Sequence, residues 1–356
     1  MIRNRAYLDI ATKRQALLER LKTAQANDFN KVFREIERLI RRTILALEDE
    51  VNELGVVKLN NLLQLLRRDQ GELFKTATTK FLANAADIAA VYMAQELLDL
   101  NNTVDFPEDT ELKDFTKKAL FSRVIRRPLA TDGDLLKDFI DNYSRGEINR
   151  VSRTIRLGHS QGKTNQEIVR EVIGTKARNY RDGILNVSRR HAETMVRTSV
   201  QHVASAARQE VWEKNDDVVK RYRFIATLDR QTSKICRSLD RQEFDFGQGP
   251  IPPVHPNCRS TTIPILDPKF DFLAKGRTRS SEEGPVAAET SYYDWLKRQD
   301  KQTQIEVLGP ARTKLFRDGG MTATEFRNLQ FDKNFVPLTL EEMREINPEA
   351  FKKAGL

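Results

Sequence analysis

The sequence predicts a mainly α-helical protein that carries one small α+β domain. Three observations lead there. Apolar residues recur every three or four positions across most of the first hundred residues and again over 184–214, the period of a buried helix face. At Val219 the period changes to two, which is that of a strand. The loop Asp229–Arg259 then holds both cysteines of the chain, four prolines and two glycines. A connection that long needs structure or a role of its own.

Taken in order, the elements are these. From Asp28, an N-cap residue type, apolar residues at Phe29, Val32, Phe33, Ile36, Leu39, Ile40, Ile44, Leu47, Val51 and Leu54 form one stripe, with Gly55 as a stop. Leu59–Leu66 and the alanine-rich Phe81–Leu98 give two further helical stretches, separated at Gly71. Together they predict a long hairpin or antiparallel bundle, which either meets a partner or closes on itself. Asn101–Asp109 reads as a linker ended by Pro107, and central helices follow. Thr164-Asn165-Gln166-Glu167 has capping-box spacing, with Gly174 as a stop. A long helix is expected over Ile184–Lys214. Ile184, Val187, His191, Met195, Val203 and Ala206 mark one of its faces, and Arg189, Arg190, Arg197 and Arg208 lie on or beside the others. Tyr222–Leu228 and Ser260–Leu266 are the strands. Tyr292–Gly320 reads as two helices, the second opened by Pro310, and Thr339-Leu340-Glu341-Glu342 begins another capping box. The expected organisation is a helical region over 1–104, a central domain over 110–273 with its core at 191–266, a polar linker over 274–290 and a helical tail over 291–356.

Composition narrows the class. With 356 residues there is ample chain for two or three domains, and 39% hydrophobic with 31% charged residues describes a soluble, helix-rich protein. Two cysteines cannot build a disulfide framework. The N-terminal stretch has no apolar core of a signal peptide, and the longest weakly polar run, Ala85–Ala94, is far too short to span a bilayer. The expected setting is therefore the reducing cytoplasm. The net charge of +9 is uneven: Arg145–Arg190 holds 11 Lys/Arg against four Asp/Glu. Such a block is a footprint for a polyanion or a solvated basic face. Its candidate DNA-contact residues are Arg145, Arg150, Arg153, Arg156, Lys163, Lys176, Arg178, Arg181, Arg189 and Arg190.

The loop offers chemistry of its own. Cys236, His255 and Cys258 are ligand types that suit zinc, and Asp229 or Asp240 would complete a tetrahedron. Paired Cys-x-x-Cys ligands are absent, because Ser233 and Ser260 stand at the neighbouring positions. The alternative is two cysteines acting as small buried hydrophobes. His191 and His202 cannot share an ion, since 11 residues of helix separate them by about 16 Å. Neither cysteine carries an activated-nucleophile signature, and Gly247-Gln248-Gly249 runs into proline rather than into a helix start, so it is no phosphate loop. No catalytic residue and no required cofactor follow from the sequence.

These residues carry a resemblance. Arg197-Thr198, then Arg208 and Trp212 on one helix, are followed by Leu228-Asp229 at a strand end, then Thr232, Cys236 and Leu239, and last by Pro252-Pro253-x-His255-Pro256-Asn257-Cys258-Arg259. In that order and spacing, His191–Leu266 resembles the conserved domain of the phage Mu F-like minor head proteins, also called phage head morphogenesis proteins. The similarity covers about a fifth of the chain, and Tyr292–Gly320 also resembles the tail that follows the domain in many members. Many relatives have cysteines where Ser233 and Ser260 stand here, which weakens a four-cysteine zinc clasp.

The resemblance implies a non-enzymatic structural protein of a tailed phage or prophage. It would sit inside the head at the portal vertex and act in head morphogenesis and in DNA packaging, retention or ejection. The host cytoplasm would be its site only during assembly. Implied partners are the portal protein, the major capsid or scaffold protein, packaged double-stranded DNA bound without sequence preference, and a second copy of the chain, but no membrane. Motif residues expected to hold structure are Arg197, Asp229, Thr232, Pro253, His255, Pro256, Cys258 and Arg259. Asp229 and Thr232 should organise the turn after the strand, with Arg259 pairing to Asp229 across the loop ends. Two rivals remain: a metal-dependent enzyme acting on nucleic acid at Cys236, His255 and Cys258, and an assembly chaperone absent from the mature particle.

Overall fold

The computed structural model describes residues 7–46, 53–104, 106, 110–268, 270, 278–332 and 336–356. It is mainly α-helical with a small antiparallel sheet. Helices α1 (Tyr7–Phe29), α2 (Val32–Leu45) and α3 (Glu53–Thr103) come first, followed by α4 (Lys117–Val124), α5 (Leu136–Ser160), α6 (Asn165–Ile173) and α7 (Ile184–Lys214).

Three expectations for the first hundred residues change. Asp28 does not open a helix; it lies in the last turn of α1 and pairs with Lys31 (2.8 Å) and Lys80 (2.7 Å). Gly55 and Gly71 do not break the chain, because α3 runs 51 residues through both. An isolated glycine costs a helix only about 1 kcal/mol, which the packing on either side of it outweighs. Leu47, Val51 and the turn at Pro107 lie outside the described residues.

These helices share one core with the central ones. Leu18, Phe33, Ile40, Phe74 and Phe81 join Ile140, Ile155, Val172, Val200 and Ala207 in a single cluster. Helix α7 is its axis, packed against α1, α3, α4, α5 and α6. That corrects its expected two-sidedness. From Thr198 to Trp212 every side chain is buried, Arg208 included, whereas His191 near its start is exposed. Arg208 survives burial because Glu96 of α3 faces it at 2.8 Å, and its other nitrogens donate to Thr261 Oγ1 and Thr262 O, both at 2.8 Å. Trp212 Nε1 donates to the other Glu96 oxygen at 2.5 Å. The network ties α3, α7 and the sheet together.

The sheet has the order β2-β1-β3, with β1 (Val219–Ile225), β2 (Glu243–Asp245) and β3 (Thr261–Leu266) all antiparallel. The long loop is indeed structured, containing α8 (Lys234–Leu239) and β2. Within the stretch expected as a linker, β4 (Thr278–Ser281) and β5 (Gly284–Ala287) form a hairpin. The tail has its own core of Tyr292, Tyr293, Trp295, Phe316, Phe326 and Phe351. Its first expected helix is two: α9 (Tyr292–Arg298) and α10 (Lys301–Leu308), separated because Asp300 caps the second. Helix α11 (Pro310–Asp318) starts on its proline as expected; α12 (Ala323–Asn328), α13 (Leu340–Ile346) and α14 (Pro348–Ala354) complete the chain.

Candidate functional site

Both ends of the Asp229–Arg259 loop are tied together. At the exit from β1, Asp229 Oδ1 accepts from Gln231 N–H (3.0 Å), while Thr232 Oγ1 lies 3.0 Å from that oxygen and 2.6 Å from Thr227 O. This is the side-chain-to-backbone turn that Asp and Thr favour. Arg259 closes it with two parallel bonds, Nη1 to Asp229 Oδ2 at 2.6 Å and Nη2 to Oδ1 at 2.9 Å. Burial opposes the Arg259 charge, but the Asp229 carboxylate outweighs it and holds the pKa above the ordinary value.

The His255–Arg259 stretch docks on the helices beneath. Asn257, in the left-handed region at φ 59°, donates its N–H to Thr198 Oγ1 (3.1 Å) and its amide to Thr194 Oγ1 (3.2 Å). Gln201 of α7 donates to Ser260 O at 3.2 Å. From α1, the fully buried Lys22 donates to Cys258 O (2.9 Å) and pairs with Glu19 (2.5 Å). Glu19 in turn takes Arg197 at 2.6 Å. Arg197 thus reaches the loop through α1, a link no sequence spacing could show. The Pro252–Pro253 peptide, with its cis bond, leads into this stretch.

Cys236, His255 and Cys258 converge. Their ligand atoms all lie within 4.8 Å of one another; the sulfurs are 3.7 Å apart and His255 Nε2 is 3.3 Å from Cys236 Sγ. Burial pushes the Cys236 thiol up, and the neighbouring Cys258 adds to it. Cys258 goes the other way: burial opposes its ionisation, but hydrogen bonds to Cys236 and His255 and the imidazolium charge outweigh it. His255 is correspondingly raised, with burial opposing and Cys258 prevailing. The three shifts share one cause, in that a negative charge on Cys258 and a positive charge on His255 favour each other. The same donor set suits zinc, since two thiolates at about 2.3 Å from a tetrahedral ion stand about 3.8 Å apart. Ser233, which caps α8 by accepting Cys236 N–H at 3.3 Å, and Ser260 both lie close enough to the Cys236 sulfur to favour its thiolate.

Neither proposed fourth ligand joins. Asp229 is taken by Arg259 and its own turn. Asp240 is fully buried elsewhere: it accepts from Arg279 twice (2.5 and 2.9 Å), from Ala226 N–H (2.8 Å) and from Tyr292 N–H (2.8 Å). This pair, which locks the β4–β5 hairpin and α9 onto the loop, was invisible in the sequence because Arg279 sits in a stretch that reads as linker.

The basic block is divided by the fold. Arg150 pairs with Glu147 (3.1 Å), Lys163 with Glu171, and Arg189 with Glu37 (3.5 Å) while lying over the Phe33 ring. Arg145 and Arg156 donate to Asn142 (2.5 Å) and Asn60 (3.2 Å). Arg153, Lys176, Arg178, Arg181 and Arg190 are exposed and make no ion pair among the described residues. His191 pairs with Glu147 at 2.8 Å and His202 is buried beside Val124, so the two are indeed apart.

Residues 149–263 match the family model described as Phage Mu protein F like protein. Neither the curated proteins nor the solved structures include a match to the chain. The matched stretch runs from the second half of α5 to the middle of β3 and contains all of α7 and the whole tied loop. Over residues 149–263, therefore, the chain carries a domain similar to the phage Mu protein F-like family.

Proposed function

We propose that the protein is a non-catalytic minor head protein of a tailed phage or prophage, placed inside the head at the portal vertex and in contact with packaged DNA. The family is one of phage head morphogenesis, and the match over residues 149–263 is the observation that carries the reading. Three features support the finer statement. In the loop, Asp229 is engaged by Arg259, Asp240 by Arg279, and Cys236, His255 and Cys258 by one another. Arg153, Lys176, Arg178, Arg181 and Arg190 of the basic block are exposed and make no ion pair among the described residues, which leaves them open to a polyanion. No described helix is long and apolar enough to cross a membrane.

The Cys/His cluster fits this reading as a clasp. If zinc is bound, Cys236, His255 and Cys258 hold it, and its role is to fasten the loop to α8. A catalytic zinc would use the same three-ligand geometry with an open fourth position, so the enzyme alternative needs its own test. Purified protein should give at most one zinc per chain by elemental analysis and leave duplex DNA uncut with zinc, magnesium or manganese supplied. Cleavage lost in Cys258→Ser would replace the structural reading with the enzymatic one.

A further inference from the structure

The connection between α6 and α7 is a built loop. Its two ends touch: a Cβ on Gly183 would stand 2.3 Å from Gly174 N and from Ile173 C, and one on Gly174 would stand 2.8 Å from Asp182 Oδ1. Only glycine fits either position. Asp182 pins the neck by accepting both the N–H and the hydroxyl of Thr175, each at 2.8 Å. Lys176–Arg178 then makes a 3-10 turn. Asn179 and Tyr180 follow at φ 50° and 58°, and Tyr180 N–H donates back to Thr175 O at 2.8 Å. Two successive non-glycine residues in the left-handed region are uncommon, and tyrosine has none of the local hydrogen bonding that eases asparagine into it.

This backbone presents a particular set of side chains. Lys176, Arg178, Tyr180 and Arg181 are all exposed, with 37% of Tyr180 open to solvent. The one carboxylate in the loop, Asp182, is engaged at the neck. Arg178 is near enough to favour the Asp182 charge, while Lys176 and Arg181 have no acidic partner among the described residues. Three cations and a phenol hydroxyl within eight residues are the donor types that contact phosphate and sugar.

We propose that the Thr175–Asp182 loop is a finger that grips the backbone of duplex DNA. Lys176, Arg178 and Arg181 pair with phosphates, and Tyr180 lays its ring and hydroxyl along the sugar–phosphate chain. The contact is independent of base sequence, because no group here is set to read a base edge. The inference deepens the head-protein reading by naming the element that meets DNA. The two fail separately, since that reading is tested on particles and this one on purified full-length chain.

The experiment is a salt titration of binding to a short mixed-sequence duplex. Removing three phosphate contacts in Lys176→Ala/Arg178→Ala/Arg181→Ala should reduce the slope of log affinity against log salt by about 2.7, at roughly 0.9 per phosphate. An equal charge loss in the tail, Lys297→Ala/Arg298→Ala/Lys352→Ala, should leave the slope nearly unchanged. Asp182→Ala supplies the sharper contrast. It adds one positive charge yet opens the neck, so a built finger predicts weaker binding and a diffuse basic face predicts tighter binding. The proposal is overturned if the wild-type chain binds no duplex at low salt, if the tail variant loses as much as the loop variant, or if Asp182→Ala tightens binding. Retention on polyglutamate with none on duplex would also overturn it and assign the loop to an acidic protein surface.

Discussion

His202 shows how much a single buried group can set. Its ring lies inside α7's packing, with Nε2 placed 3.3 Å from Val124 O and Nδ1 without a partner. Burial lowers its pKa from 6.5 to about 4. A base whose folded pKa is depressed binds fewer protons folded than unfolded between those values. Stability is therefore complete above pH 6.5 and falls as pH drops toward 4, by about 3 kcal/mol at about 1.4 kcal/mol per unit. His202→Gln keeps a donor for Val124 and removes the titration, so its denaturation midpoint should vary less than the wild type's between pH 6.5 and 4. Parallel curves for the two proteins would show that His202 does not drive the acid sensitivity. Arg259 acts at the same scale. Arg259→Ala leaves Asp229 without its bidentate partner and should cost about 2 kcal/mol in chemical denaturation, with head assembly reduced. Unchanged stability and assembly would mean that the pair does not clasp the loop. This pairing was legible in sequence from the loop's two ends. The role of Lys22 was not, since it lies 236 residues from the carbonyl it binds.

At the scale of elements, local chemistry was readable and long-range compensation was not. The capping boxes at Thr164 and Thr339, the proline start of α11 and the extent of α7 follow from adjacent residues, and the structure contains each of them. Glycines misled where packing outweighed their cost, as in α3. Arginines misled where a distant acid awaited them: Arg208 is buried by Glu96 and Arg279 by Asp240. The hairpin β4–β5 was missed for that reason, as its polar sequence is placed by the buried Arg279–Asp240 pair together with long-range contacts to Leu228 and Arg230. Breaking such a pair from one side costs about 3–5 kcal/mol. Arg279→Ala should therefore destabilise the chain by roughly that amount and loosen the attachment of the tail, read as faster amide exchange around Tyr292. Normal protection there would place the tail's anchorage in other contacts, such as Arg237 Nη1 to Val307 O at 2.7 Å.

At the scale of the molecule, α7 organises everything else. It packs against α1, α3, α4, α5 and α6, with the tied loop on its middle turns at Thr194, Thr198 and Gln201 and the sheet at Arg208 in its C-terminal half. The N-terminal helices carry no motif of their own in the sequence, yet Lys22 of α1 reaches the loop directly, and Glu19 joins Lys22 to Arg197 of α7. Internal ion pairs and the Cys/His cluster tie the loop to these helices, and exposed cations lie between α5 and α7. The central claim is that the chain remains in the finished head. Mass spectrometry of density-purified particles from the phage or prophage that encodes the chain tests it most directly. The account predicts peptides from across the sequence at a constant ratio to the portal protein, retained after the tails are removed. Particles that are infectious and free of the chain, with the protein found only in the lysate, would contradict it and favour an assembly chaperone.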